Sequence, residues 1–128
     1  FNAQMAGEIE VMKSQLAEEF TFVLTGQLDI SKTYSWDEFL EFAGYFGSLL
    51  IGDVGVEYKG IVVEGKTSIV FAEGRMEGIG GKYENDYAIK YTLNDDGKII
   101  EQKEYLSDLL LAQRLYGQDL CGKKTTIK

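Results

Sequence analysis

The chain of 128 residues contains no histidine, no proline and a single cysteine. Without histidine it can host neither a histidine-dependent triad nor a histidine-ligated zinc, and one thiol cannot furnish a structural metal cage. Proton transfer would therefore fall to Asp, Glu, Tyr or Lys. Cys121 has no second cysteine with which to form an internal disulfide, which fits a reducing compartment. No run approaches the ~20 apolar residues of a membrane-spanning helix, and no basic segment followed by a signal-like apolar core opens the sequence. The expectation is a soluble, cytoplasmic protein that makes no membrane contact. Positive charge is scarce too, with 13 Lys and Arg scattered among 21 Asp and Glu for a net charge of −8. Phosphate contacts need cations clustered on one face, so nucleic acid is not an expected partner.

What is present suits one globular domain over residues 1–128. Hydrophobic residues make up 45% of the chain, with eight Tyr and seven Phe, enough for a core with aromatic-lined space. A chain of this length buries roughly 65 to 70% of the surface its unfolded form exposes.

Met5, Ile9, Met12 and Leu16 recur at helical spacing and predict an amphipathic helix from about Ala3 to Glu19, weakened at Gly7. The β-rich run Phe20 to Thr25 predicts a first strand closed by Gly26. Ser35 and Glu38 have capping-box spacing before the apolar positions Phe39, Leu40, Phe42, Ala43, Phe46 and Leu49, which predicts a second helix. Gly44 and Gly47 weaken that helix, and close packing against a sheet is one reason to keep them. From Gly55 the period becomes two: strands over 56–63 and 67–77 flank a turn at 64–66, and Phe71, Glu73, Arg75 and Glu77 share a face. That charged row reads either as a solvated sheet face or as a carboxylate polarised by a guanidinium inside a cavity.

The strand from Tyr83 puts Tyr83, Asn85, Tyr87, Ile89, Tyr91 and Leu93 on one half-polar aromatic face. Asn94 to Gly97 turns the chain, Lys98 to Leu106 returns antiparallel, and Ser107 caps a short helix over Asp108 to Tyr116 that stops at Gly117. The aperiodic tail 118–128 is expected to be loosely held. Helices followed by hairpins predict an α+β domain with helices on one face of a curved antiparallel sheet.

The succession Glu73-Gly74, Gly81-Lys82-Tyr83-Glu84-Asn85-Asp86-Tyr87, Asp96-Gly97-Lys98-Ile99 and Glu104-Tyr105 resembles the Gly-x-x-Tyr-x-Asn-x-Tyr, Asp-Gly-Lys-Ile and Arg-Glu-Tyr-x-Asp-Thr pattern of SnoaL-like proteins. These belong to the superfamily of ketosteroid isomerase and nuclear transport factor 2, and the match covers about a third of the chain. The resemblance implies a cone-shaped α+β barrel of curved antiparallel sheet packed against N-terminal helices, an enclosed apolar pocket, and a homodimer formed through the sheet. It does not fix an activity, because the fold hosts isomerases, cyclases, hydrolases, dehydratases and inert binding domains.

Carried over residue by residue, the resemblance makes Asn85 and Tyr87 pocket-lining polar groups, with Tyr83 nearer the rim. Lys103 stands where an Arg is usual, and Ser107 replaces the pattern's Asp, with Asp108 one position late. A carboxyl group in an apolar aromatic cavity loses solvation of its charged form and can exchange protons near neutrality. Two accounts follow. In one, the protein is a cofactor-free isomerase, cyclase or hydrolase acting on a small apolar or aromatic organic ligand. Glu73 or Asp108 is then the base and Tyr87 the oxyanion donor, with Asn85, Tyr83, Glu104 and Trp36 contacting ligand and no metal involved. In the other, it is a non-catalytic small-molecule binding domain or a protein-interaction module, in which Ser107 merely caps.

Overall fold

A computed structural model describes residues 1–119. Cys121 and nearly all of the expected tail lie outside the described residues. The N-terminal helix is not one element: α1 (Asn2–Met5) and α2 (Ile9–Ser14) are separated at Gly7, whose φ of 70° lies where only glycine sits without strain. The apolar stripe of Met5, Ile9 and Met12 survives the break. β1 then begins at Leu16, earlier than the sequence predicts, and runs to Leu24.

Two-residue β2 (Thr33–Tyr34) precedes α3 (Trp36–Ser48), which starts as its sequence dictates. The Ser35 hydroxyl accepts from the Glu38 N–H at 3.3 Å while the Glu38 carboxylate accepts from the Ser35 N–H at 3.0 Å, a complete capping box. The hairpin β3 (Val56–Glu64) and β4 (Thr67–Gly74) follows, then the short pair β5 (Met76–Gly78) and β6 (Gly81–Tyr83), and finally β7 (Asp86–Leu93) and β8 (Ile99–Tyr105). The expected strand 67–77 is thus interrupted after Gly74, and the expected strand from Tyr83 is interrupted at Glu84-Asn85. After Ser107, α4 (Asp108–Leu110) widens into a π-helical turn over Leu111–Leu115. No helix among the described residues is long and apolar enough to cross a membrane.

Six strands form one curved sheet in the order β2-β1-β8-β7-β4-β3, and β5-β6 form a separate ribbon. All pairings are antiparallel except β1 with β8. That pair is irregular: Leu16 faces Ile99 while Thr21 faces Glu101, so β1 carries extra residues and exposes Glu18 and Glu19 consecutively. The sheet stays open, with β2 and β3 at its edges.

The concave face and α3 hold the core in two clusters. Phe20, Phe22, Leu24, Tyr34 and Phe39 form one, with the Phe22 and Phe39 rings 4.6 Å apart. Val70, Ala72, Tyr83, Tyr87, Ile89, Tyr91, Leu111 and Leu115 belong to the other. Burying a ring such as Phe22, 1% exposed, contributes roughly 2–3 kcal/mol. The space between these clusters and the N-terminal helices is not filled.

Candidate functional site

That space is a cavity of about 430 Å³. Met5, Ile9 and Met12 line it from the N-terminal helices, Phe39 and Phe46 from α3, and Tyr87 and Glu104 from the sheet. Methionine suits such a wall because its unbranched side chain adapts to irregular contents. Gly44 and Gly47 line the cavity as well, and a methyl added at either would meet nothing within 4 Å. They do not serve close packing against the sheet, as the sequence suggests; they widen the cavity.

Alternation along β8 decides which carboxylate enters. Gln102 and Glu104 point to the concave side, whereas Glu101, Lys103 and Tyr105 point outward. Gln102, 3% exposed, is satisfied by donating to Oε1 of Gln4 at 2.9 Å, which ties α1 to the sheet. The Glu104 side chain has no hydrogen bond or ion pair among the described residues. Half-buried, it lines the cavity, and loss of solvation raises its pKa from 4.5 to about 7. Glu104 is therefore divided between acid and carboxylate at neutral pH, as acid–base chemistry requires.

Tyr87 adds a phenol to the same wall. Its hydroxyl donates to that of Tyr83 at 3.1 Å, and the Tyr83 hydroxyl also accepts from Nδ2 of Asn85 at 3.1 Å. Burial pushes both phenols up, and the negative charge of Glu104 adds to this, so they remain neutral donors. Asn85, 1% exposed, donates to the Ser107 carbonyl at 2.9 Å and accepts from the Ser107 N–H at 3.0 Å. This amide clamp fixes the corner between β8 and α4 and explains the break between β6 and β7: Asn85 leaves the ladder to hold Ser107.

The residues singled out from sequence thus separate. Tyr87 and Glu104 meet at the cavity. Tyr83 is fully buried behind Tyr87 rather than at a rim, and Asn85 is spent on Ser107. Glu73 lies on the outer face, paired with Arg75 at 3.0 Å and Lys59 at 3.2 Å. Those cations hold its carboxyl below the usual range, the opposite of what a base poised near neutrality needs. Asp108 turns away: its carboxylate accepts from the Gln27 N–H at 2.7 Å and fills the space beside Gly26, where a Cβ would stand 2.6 Å from it. Ser107 caps α4 by accepting from the Leu110 N–H at 3.3 Å. Trp36 packs on Phe20 and Phe39 in the aromatic cluster and does not line the cavity. The Met5, Ile9 and Met12 stripe supplies the N-terminal wall of the cavity.

No protein-family model matches the chain, and no curated protein sequence matches it significantly. Solved structures do match. A nuclear transport factor 2-like protein from Burkholderia thailandensis superposes with a TM-score of 0.76 at 20% identity over 88% of each chain. TerC, co-crystallised with polyporic acid, gives 0.74 at 16% identity over 90% of this chain and 91% of its own. IdmH, a candidate polyketide cyclase from Streptomyces antibioticus, gives 0.69 at 16% identity over 88% of this chain and 91% of its own. Such identities carry the fold and not the chemistry. The chain has the α+β fold shared by SnoaL-like and nuclear transport factor 2-like proteins.

Proposed function

We propose that this protein binds a small, largely apolar organic ligand in the cavity, and that Glu104 exchanges a proton with it without a cofactor. The observation that carries this reading is an unpartnered carboxyl, with a pKa of about 7, on an otherwise nearly apolar wall. As carboxylate, Glu104 takes a proton from a carbon or oxygen acid. Tyr87, held neutral beside it, donates to the oxygen on which charge develops once its hydroxyl turns from Tyr83 to the ligand. Isomerisation and cyclisation of carbonyl compounds both need this pair of operations. The likeness to a candidate polyketide cyclase and to a protein crystallised with polyporic acid supports this ligand class. Glu73 and Asp108 are better explained as outer-face and loop-anchoring groups. Native mass spectrometry of the purified protein, followed by chemical analysis of what it releases, identifies the ligand. Turnover of that ligand should then fall by at least ~10²-fold in Glu104→Gln; turnover unchanged in that variant would exclude Glu104 as the base.

A non-catalytic binding domain is the second reading, favoured by one observation: Tyr87 already spends its hydroxyl on Tyr83. Release of the ligand chemically unaltered supports it. A cytoplasmic homodimer completes the proposal: the outer sheet face exposes Val62, Phe71 and Tyr105, with Val62 58% exposed. Light scattering at micromolar concentration distinguishes a dimer from a monomer.

A further inference from the structure

Among the described residues Glu104 is the one charged side chain lining the cavity, and no Lys or Arg lines it. Its strand neighbours Lys103 and Lys90 point to the outer face. The Lys103 ammonium lies 5.4 Å from the Tyr105 ring centroid, and Lys90 pairs with Glu101 at 3.6 Å. The titratable groups that do face Glu104 are phenols, Tyr87 and Tyr91 from β7 and Tyr83 from β6. From α1, α2 and α3 it meets only amide and apolar groups across the cavity. Among the described residues, the cavity thus holds an acid whose negative charge no cation balances. We propose that the cavity takes apolar ligands bearing a basic amine, with the Glu104 carboxylate as counter-ion to the ammonium. This rests on reading the cavity as a ligand site and names the ligand's charge.

The physical grounds are three. An ammonium supplies both the missing charge and N–H donors, forming charge-assisted hydrogen bonds that a neutral ligand cannot match. A ligand carboxylate would put a second negative charge beside the first in a poorly solvated space. The rings of Phe39, Phe46 and Tyr87 on the same walls favour a cation over an anion. Pairing with a cation also keeps Glu104 ionised at neutral pH.

The test uses matched sets of amine, alcohol and carboxylate on phenethyl, adamantyl and decyl skeletons, titrated by calorimetry into the full chain. Amines should bind at least about tenfold more tightly than the alcohols of the same skeleton, and carboxylates more weakly than either. In the Glu104→Gln variant the amine advantage should vanish while alcohol binding persists. In the unaltered protein, amine affinity should rise between pH 5 and 8 as Glu104 ionises, and alcohol affinity should stay level. Alcohols binding as tightly as amines, or an amine preference that survives Glu104→Gln, overturns this inference and leaves the cavity as a ligand site. If no member of any set binds, the ligand-site reading fails and takes the inference with it.

Discussion

Replacing Glu104 by glutamine should stabilise the protein, and by an amount that depends on pH. Burial holds the Glu104 pKa at about 7 against 4.5 for the exposed group. Between those values the unfolded chain releases a proton that the folded chain retains, so stability is greatest below pH 4.5 and falls as pH rises towards 7. Above pH 7 the full penalty persists. At 1.36 kcal/mol per unit, the shift corresponds to at most about 3 kcal/mol, and water in the cavity will reduce it. Glutamine keeps the shape and carries no charge, so chemical denaturation at pH 8 should show Glu104→Gln more stable by about 1–3 kcal/mol. At pH 4.5 the two proteins should differ by less than about 0.5 kcal/mol, within the scatter of neutral substitutions. A variant destabilised equally at both pH values would refute the reasoning, because Glu104 would then be a satisfied group whose partner had been stranded.

Three further outcomes follow from the same geometry. Gly47→Ala, and separately Gly44→Ala, should stabilise α3 by about 0.5–1 kcal/mol in thermal unfolding, since the added methyl meets no atom and glycine disfavours helix. The same changes should weaken binding of any cavity ligand, read by calorimetry. Asn85→Ala strips the Ser107 N–H and carbonyl and the Tyr83 hydroxyl of their partner in the interior, so urea denaturation should show a loss of about 2–4 kcal/mol. Glu73→Gln breaks only solvent-facing ion pairs, and both melting temperature and ligand affinity should stay within error of the unaltered protein.

How far residues announced their roles depended on whether the signal was local. The capping box at Ser35 and Glu38 is a contact between residues three apart, and the spacing alone located the start of α3. The buried face of Tyr83, Asn85, Tyr87, Ile89 and Tyr91 followed from strict alternation. By contrast, the stripe Met5, Ile9, Met12 and Leu16 fits a helix throughout, yet Leu16 pairs with Ile99 and belongs to a strand. Tertiary pairing between segments more than seventy residues apart overrode local periodicity there. The break at Asn85 has the same origin, because its cause is Ser107 across the fold.

The candidate site was the least visible part for a related reason. Glu101, Gln102, Lys103 and Glu104 are polar on both faces of β8, so alternation cannot say which face is buried. Register settles it: Ile89 faces Glu104, and Ile89 is a core residue. Glu73 and Asp108 stood out because of a charged row and a motif position, but the first is answered by adjacent cations and the second by a backbone N–H.

The most direct test of the account is the titration of Glu104 itself. Carboxyl carbon-13 resonances followed from pH 3 to 9, with Glu104→Gln identifying the signal, should show Glu104 titrating near 7, far above the ordinary 4.5. Saturating an apolar amine should then move that midpoint down. A midpoint close to 4.5 that no added compound shifts would contradict the poorly solvated acid, without a partner among the described residues, on which the account depends.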